Sequence, residues 1–260
     1  MRTIKLESNN GIAQMTLSRP DVRNAINEQL IHEVTQSLEE VANDPAIRVL
    51  VLTGEGSAFC AGADLEWMER AAGYSQSENL EDAERLAQML NRLYHLAIPV
   101  IAKVNGPAVA GGMGLVSACD VVIASRTAYF ALTEVRLGLV PATIAPYVVR
   151  ALGLQACRRY MLSAERISAP EALRMGFVHQ VCEQQDLDVK VGMLATAMRA
   201  GGPEALRQTK KLLGWVGDTV LAESTMAATA NLIAVVRSSA EGKEGMRSFL
   251  EKRIPAWQAQ

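Results

Sequence analysis

The 260-residue sequence is poor in aromatic side chains, which make up 5% of it, and no stretch approaches the roughly 20 uninterrupted apolar residues that cross a bilayer. Charge of neither sign dominates. The 26 basic and 28 acidic residues leave a formal net charge of −2, and Lys and Arg are scattered, which argues against a nucleic-acid or membrane-surface role. Cysteine is sparse too: Cys60, Cys119, Cys157 and Cys182 lie far apart without a C-x-x-C pair, and His32, His95 and His179 do not cluster, so a zinc or other metal site finds no support. These thiols read as free in a reducing cytosol. The opening residues Met1 to Lys5 lead straight into an alternating pattern and lack the apolar run of a signal peptide, so a cytoplasmic, soluble protein is expected. What is abundant is ordinary: 49% hydrophobic and 21% charged residues suffice for a full core without staples.

Residues 2–7 and 12–17 alternate in polarity around Asn9-Asn10-Gly11, a step that adopts the positive φ of a tight turn, so the chain is expected to open with a β-hairpin. Between Asn27 and Val41 the apolar residues Leu30, Ile31, Val34, Leu38 and Val41 recur at threes and fours, which predicts a helix ended by Asn43-Asp44-Pro45. Short apolar strands follow at 49–52, 99–104 and 121–124. A helix over 80–96 lies between the first two, and another after Gly114 lies between the second and third. Strand and helix in alternation imply a parallel sheet with right-handed crossovers. Residues 72–79 are small and polar, the composition of a mobile loop, disordered without ligand, that could cover a site. Beyond Ala145 the strand signal almost vanishes, and helical patterns occupy 144–152, 155–162, 168–175, 185–199, 203–214 and 219–250. The chain is therefore split into an α/β core over 1–200 and a helical C-terminal part over 201–260.

Three segments carry chemistry. In Phe59-Cys60-Ala61-Gly62-Ala63-Asp64, small residues lie at a strand-to-helix turn, where backbone amides can face open space and a helix N-terminus adds positive potential. The alternative is a tightly packed turn with Asp64 as a helix cap. The glycine-rich run from Val104 to Gly114 also follows a strand and opens a helix, but it ends in no Gly-Lys-Ser/Thr and contains no G-x-G-x-x-G, which excludes a Walker loop and leaves a dinucleotide site unsupported. Two such turns could bind one oxygen from two sides. The third segment, Phe130 to Ala142, sets Glu134 in apolar surroundings, where desolvation should raise its pKa toward the range useful for proton transfer. A contact with Arg136 or a helix-cap contact, on the surface, is the alternative for that glutamate.

In this order and spacing the segments resemble the crotonase, or enoyl-CoA hydratase/isomerase, family over nearly the whole chain. The resemblance rests on Leu17-Ser18-Arg19-Pro20-Asp21-Val22-Arg23-Asn24-Ala25, Ala61-Gly62-Ala63-Asp64, Gly111-Gly112-Met113-Gly114 and the stretch Glu244 to Arg253. It implies an α/β, crotonase-like spiral of ββα units whose C-terminal helices form a trimerisation region, assembled as a homotrimer or homohexamer. It also implies that the amides of Ala63 and Gly111 form an oxyanion hole for a thioester oxygen and that Glu134 is the acid/base. Val22, Arg23, Ala25, Ala61, Asp64 and Leu65 would line the groove for CoA. Phe249 and Lys252 would lie near the adenine, from a neighbouring subunit, unless they are ordinary helix surface. The substrate would be an acyl-CoA thioester, with no cofactor beyond the CoA it carries.

One position departs from the family pattern. Two-carboxylate hydratases of this family carry a Glu where this chain has Gly114, so one of two carboxylates is missing and a Δ3,Δ2-enoyl-CoA isomerase with a single proton shuttle becomes an alternative. Phe59 to Met68, Ala72 to Leu80 and Thr133 to Tyr147 nonetheless look like the bacterial methylglutaconyl-CoA hydratases, which favours water addition to a branched 2-enoyl-CoA of leucine or isoprenoid breakdown. A silent family member that binds acyl-CoA or RNA is a third reading.

Overall fold

The structure is a computed structural model and describes residues 1–258. Strands β1 (Ile4–Asn9) and β2 (Ile12–Leu17) form the expected hairpin, with Asn9 paired to Ile12 and the two turn residues Asn10 and Gly11 at φ of 49° and 73°. Helix α1 (Glu28–Asn43) starts where Asn27 accepts the Leu30 amide at 2.9 Å, and it buries the apolar stripe that its spacing foretold. There follow β3 (Val49–Gly54), α2 (Leu65–Ala71), α3 (Gln76–Tyr94), β4 (Val100–Val104), β5 (Ala108–Val109), α4 (Gly111–Ser117), β6 (Val121–Ser125) and β7 (Tyr129–Ala131). After a 3-10 turn at Glu134–Leu137 come α5 (Ala145–Leu152), α6 (Leu154–Ser163), β8 (Ile167–Ser168), α7 (Ala169–Arg174), β9 (Gln180–Cys182), α8 (Leu187–Arg199), α9 (Pro203–Val216), α10 (Glu223–Ser238) and α11 (Ala240–Leu250).

The main sheet has six strands in the order β1-β2-β3-β4-β6-β9, parallel from β2 onward, and a second sheet of order β5-β7-β8 stands apart from it. Strand β3 explains why its sequence is apolar without alternation. Leu50 and Leu52 enter the main core with α1 and α3, while Val49 and Val51 enter a smaller core against Leu187, Val191 and Ala195 of α8. Both faces of a parallel sheet are thus covered, as its crossovers require. The C-terminal helices bury little by comparison: over α9, α10 and α11 only Thr225 and Ser248 are fully buried.

Three expectations need correction. The supposed mobile loop over 72–79 is helical from Gln76, because Ser75 and Glu78 form a reciprocal capping box that satisfies the first amides of α3. The single helix expected over 219–250 is two, α10 and α11, divided where the Ser239 hydroxyl accepts the Gly242 amide at 3.0 Å. The strands β5, β7, β8 and β9 were too short for a periodic signal, yet β9 completes the main sheet.

Glu33 of α1 fastens the N-terminus. Its buried carboxylate accepts the amides of Arg2 and Thr3, the Thr3 hydroxyl and the Gln29 side chain at 2.7 to 3.0 Å. Burial alone would raise its pKa, but these donors outweigh it and hold the group at about 2. The stability this supplies is present above the ordinary carboxylate value and is lost as pH falls toward 2. Glu33→Gln is therefore expected to lower unfolding free energy at pH 7 by about 3 kcal/mol, with the deficit shrinking below pH 4.5 in denaturant titrations.

Candidate active site

The site is built where the two sheets meet at a pair of turns. Cys60 bridges Ala108 in parallel register, and the Val109 amide donates to the Cys60 carbonyl at 2.9 Å. Carrying that register three residues further along both segments brings Ala63 level with Gly111. Close contact confirms the juxtaposition: a Cβ on Gly62 would stand 3.3 Å from the Ala110 Cβ. Ile26 closes the third side, bridging Ala63 through its backbone while its Cδ1 lies where a Cβ on Gly111 would come within 2.8 Å.

In this frame the Ala63 and Gly111 amides have no hydrogen-bond acceptor among the described residues, whereas their neighbours are committed. The Asp64 amide donates to the Ile26 carbonyl, and the Ala110 amide to the Ala131 carbonyl. Ala63 is exposed and Gly111 half-exposed, so neither turn is sealed inside the core. Ala110 holds φ 49° with ψ −118°, a conformation an alanine rarely adopts, and the strain is what turns the chain so that the Gly111 amide leads into α4.

Glu134 reaches the same end of the second sheet, because β5 and β7 are parallel and Glu134 follows β7 just as Gly111 follows β5. Its Oε2 is buried with no hydrogen-bond partner, and burial raises its pKa above the ordinary carboxylate value against the pull of its own amide. Among the described residues no ion pair joins it to Arg136, and it opens the 3-10 turn Glu134–Leu137. A half-buried carboxylate with a vacant lone pair and a raised pKa has the properties of a proton-exchanging group, and free backbone amides those of donors to a developing oxyanion.

The remaining expected residues fall into two groups. Val22, Arg23, Ala25, Ala61 and Leu65 come together around the Ala63 turn: the Arg23 carbonyl accepts the Ala61 amide at 2.9 Å, and Val22, Arg23 and Leu65 are exposed. Asp64 is at the turn as well, but its side chain is spent on structure. It caps α2 through the amides of Glu66 and Trp67, pairs with Arg19 at 2.8 Å, and is buried. Burial would raise its pKa, yet Arg19 and the two amides hold it below the usual carboxylate range. Phe249 and Lys252 are not brought to the site within one chain; Phe249 is 83% exposed on α11, whose packing partners are α9 and α10.

Two positioning residues were passed over in the sequence. Arg19 bridges Asp64 and also donates to the Ala25 carbonyl at 2.6 Å, tying the turn at 19–25 to the oxyanion turn. Asn24, fully buried, donates to the carbonyls of Glu55 and Ala58 and accepts the Arg19 amide, all at 2.9 Å. Both stand in the stretch Leu17 to Ala25, and an Asn in a turn, where its side chain commonly bonds to backbone groups, is the signal that could have found Asn24.

Gly114 also has a physical reason to be glycine. A Cβ there would lie 2.3 Å from Cγ2 and 2.9 Å from Cβ of the buried Ile144, so the space a longer side chain would use is already filled. Gly114→Ala is expected to cost about 1–3 kcal/mol through overpacking, read by denaturant unfolding. Adding Ile144→Ala should make the double variant more stable than the summed single losses allow.

Together the six-stranded and three-stranded sheets, the two amide-bearing turns and the helical C-terminus define the crotonase class of fold. Comparison with known proteins agrees. The family model for enoyl-CoA hydratase/isomerase matches residues 7–260, and the chain belongs to that family. An enoyl-CoA hydratase from Shewanella pealeana superposes with a TM-score of 0.95 at 40% identity, covering 98% of this chain and 96% of that one. The mevalonyl-coenzyme A hydratase of Aspergillus fumigatus is 36% identical over 95% of this chain and 91% of its own length. The 2,3-dehydroadipyl-CoA hydratase of Escherichia coli is 35% identical over 93% and 92%. Among the described residues no helix is long and apolar enough to cross a membrane, and no group of three His, Cys, Asp or Glu could hold a metal.

Proposed function

We propose that the protein adds water to a 2-enoyl-CoA thioester, with Ala63 and Gly111 as the oxyanion donors and Glu134 as the single acid/base. The observation that carries the reading is the buried, unpartnered Oε2 of Glu134, which follows β7 as the acceptor-free Gly111 amide follows the parallel strand β5. The Glu134 carboxylate takes a proton from water as the water oxygen bonds to C3, and the electrons of the C2–C3 double bond pass to the thioester oxygen. The two amides stabilise that enolate, which is where preorganised donors act most strongly. Glu134 then delivers a proton to C2, the carbonyl reforms, and no net proton is consumed. Residues Val22, Arg23, Ala25, Ala61 and Leu65 flank the CoA moiety, and no cofactor is needed beyond it.

A branched acyl group such as 3-methylglutaconyl is the substrate we favour, supported by the likeness of residues 59–80 and 133–147 to hydratases of that kind and by the mevalonyl-coenzyme A hydratase among the relatives. Exposed Leu221, Ile233, Val235, Phe249 and Leu250 on the C-terminal segment support assembly as a homotrimer or pair of trimers, which would carry Phe249 and Lys252 to a neighbour's groove. A second reading, Δ3,Δ2-enoyl-CoA isomerisation, is favoured by one observation: Ile144 occupies the space over Gly114 and leaves one carboxylate. Incubation with 2-enoyl, 3-enoyl and 3-methylglutaconyl-CoA thioesters separates the two. Gain of one water by mass, fastest on the branched thioester, supports hydration. Conversion of the 3-enoyl to the 2-enoyl thioester at unchanged mass supports isomerisation instead.

A further inference from the structure

Behind the two turns lies a cavity of about 270 Å³ whose wall holds three arginines, Arg23, Arg136 and Arg166, and no acidic residue. Two other cavities, of about 260 and 880 Å³, each set an aspartate or glutamate among their cations. None of the three arginines has a carboxylate within 4.0 Å among the described residues, although Arg19, Arg126, Arg150 and Arg159 nearby in the chain all do. Uncompensated like charges around one concavity repel one another, so the arrangement is stable only when an anion or solvent screens it.

One of these guanidinium groups is held by a neighbouring side chain, and the other two arginines stand on defined backbone turns. Arg166 lies over the Tyr129 ring with 4.5 Å to its centroid, a cation–π contact that fixes its plane. Arg23 sits at φ 52°, a left-handed conformation kept by the hydrogen bond from the Ala61 amide to its carbonyl. Arg136 lies on the 3-10 turn that also carries Glu134. Thr133 adds a hydroxyl to the same wall.

We propose that this cavity is a seat for phosphate groups. Three planar, forked cations lining one cavity without a counter-carboxylate suit the several oxygens of a phosphate or diphosphate, which arginine binds in bidentate fashion. Its walls tie it to the reaction centre: Ala61, Val109 and Thr133 lie within two residues of Ala63, Gly111 and Glu134, so occupancy of the seat and order in the site share one backbone frame. Two sources supply the chemistry. One is the phosphate-bearing end of a CoA thioester, an assignment that rests on the function proposed above; the other is free phosphate or diphosphate acting on the enzyme.

The test titrates the intact protein with inorganic pyrophosphate by calorimetry, and measures turnover of an enoyl-CoA and of the matching enoyl-pantetheine thioester, for wild type, Arg136→Gln, Arg166→Gln and Arg166→Lys. The seat predicts pyrophosphate binding that weakens at least tenfold in each Gln variant, weakens with added salt, and is partly kept in Arg166→Lys. If CoA is the source, KM for the CoA thioester rises by a similar factor while kcat and the pantetheine thioester are unaffected. If free phosphate is the source, pyrophosphate changes turnover of the pantetheine thioester through the same arginines. Pyrophosphate binding with no turnover of any thioester would sink the hydratase reading and leave the seat standing. Gln variants that bind pyrophosphate like wild type, or that lower both substrates' kcat equally, overturn the proposal.

Discussion

Glu134→Gln should lower kcat for enoyl-CoA hydration by about 10²- to 10⁴-fold with little change in KM, because the amide fills the same space but can neither take a proton from water nor return one. A variant within a few fold of wild type would remove Glu134 from the mechanism. The pH dependence follows from the same burial. A general base works ionised, so kcat/KM rises with pH through the Glu134 pKa, and burial moves that limb above the ordinary value of 4.5. The stability consequence has the opposite tendency. A carboxyl whose folded pKa is raised supports folding when protonated and loses that support as pH rises through the folded value. Glu134→Gln should therefore gain stability relative to wild type between acid and neutral pH, in denaturant unfolding at both. Lost activity with gained stability is the pattern of a residue held at a site against its own solvation.

Ala63→Pro should cost about 10²- to 10³-fold in kcat, close to what one oxyanion donor is worth. Proline removes the free amide and no hydrogen bond, because that amide has no acceptor in the structure while the flanking bonds, from the Ile26 amide to Gly62 and from the Asp64 amide to Ile26, use other atoms. Gly62 has no Cβ to clash with the ring of a following proline. Ala63→Gly keeps the donor and should stay within several fold of wild type. If proline and glycine behave alike while both variants unfold normally, the Ala63 amide does not hold the thioester oxygen.

Much of this protein is legible in local sequence. The hairpin follows from Asn10-Gly11, α1 from its three-and-four spacing, and β3, β4 and β6 from short apolar runs bounded by turn residues, since each signal lies within a few residues of the feature it specifies. Glu134 could be singled out for its apolar neighbours, and the turns at Ala63 and Gly111 for their small residues. The capping box at Ser75 and Glu78 was equally legible, and the polar composition around it hid the signal.

Other features depend on residues far apart in the chain. Strands of two or three residues such as β5 and β8 carry no period and exist only because a partner strand supplies their hydrogen bonds. Asp64 could have faced a ligand or capped a helix, and Arg19, some 45 residues earlier, decides for the cap. Gly114 lacks the second carboxylate of the family pattern, and only the packing of Ile144 against it shows that a side chain there has no room. Arg23, Arg136 and Arg166 lie apart in sequence and share one cavity. The amino-acid sequence by itself determined which segments fold locally and which residues are chemically able to act. Only tertiary structure decided which of them meet, because burial, ion pairing and the loss of water around Glu134 are properties of surfaces that long-range packing brings together.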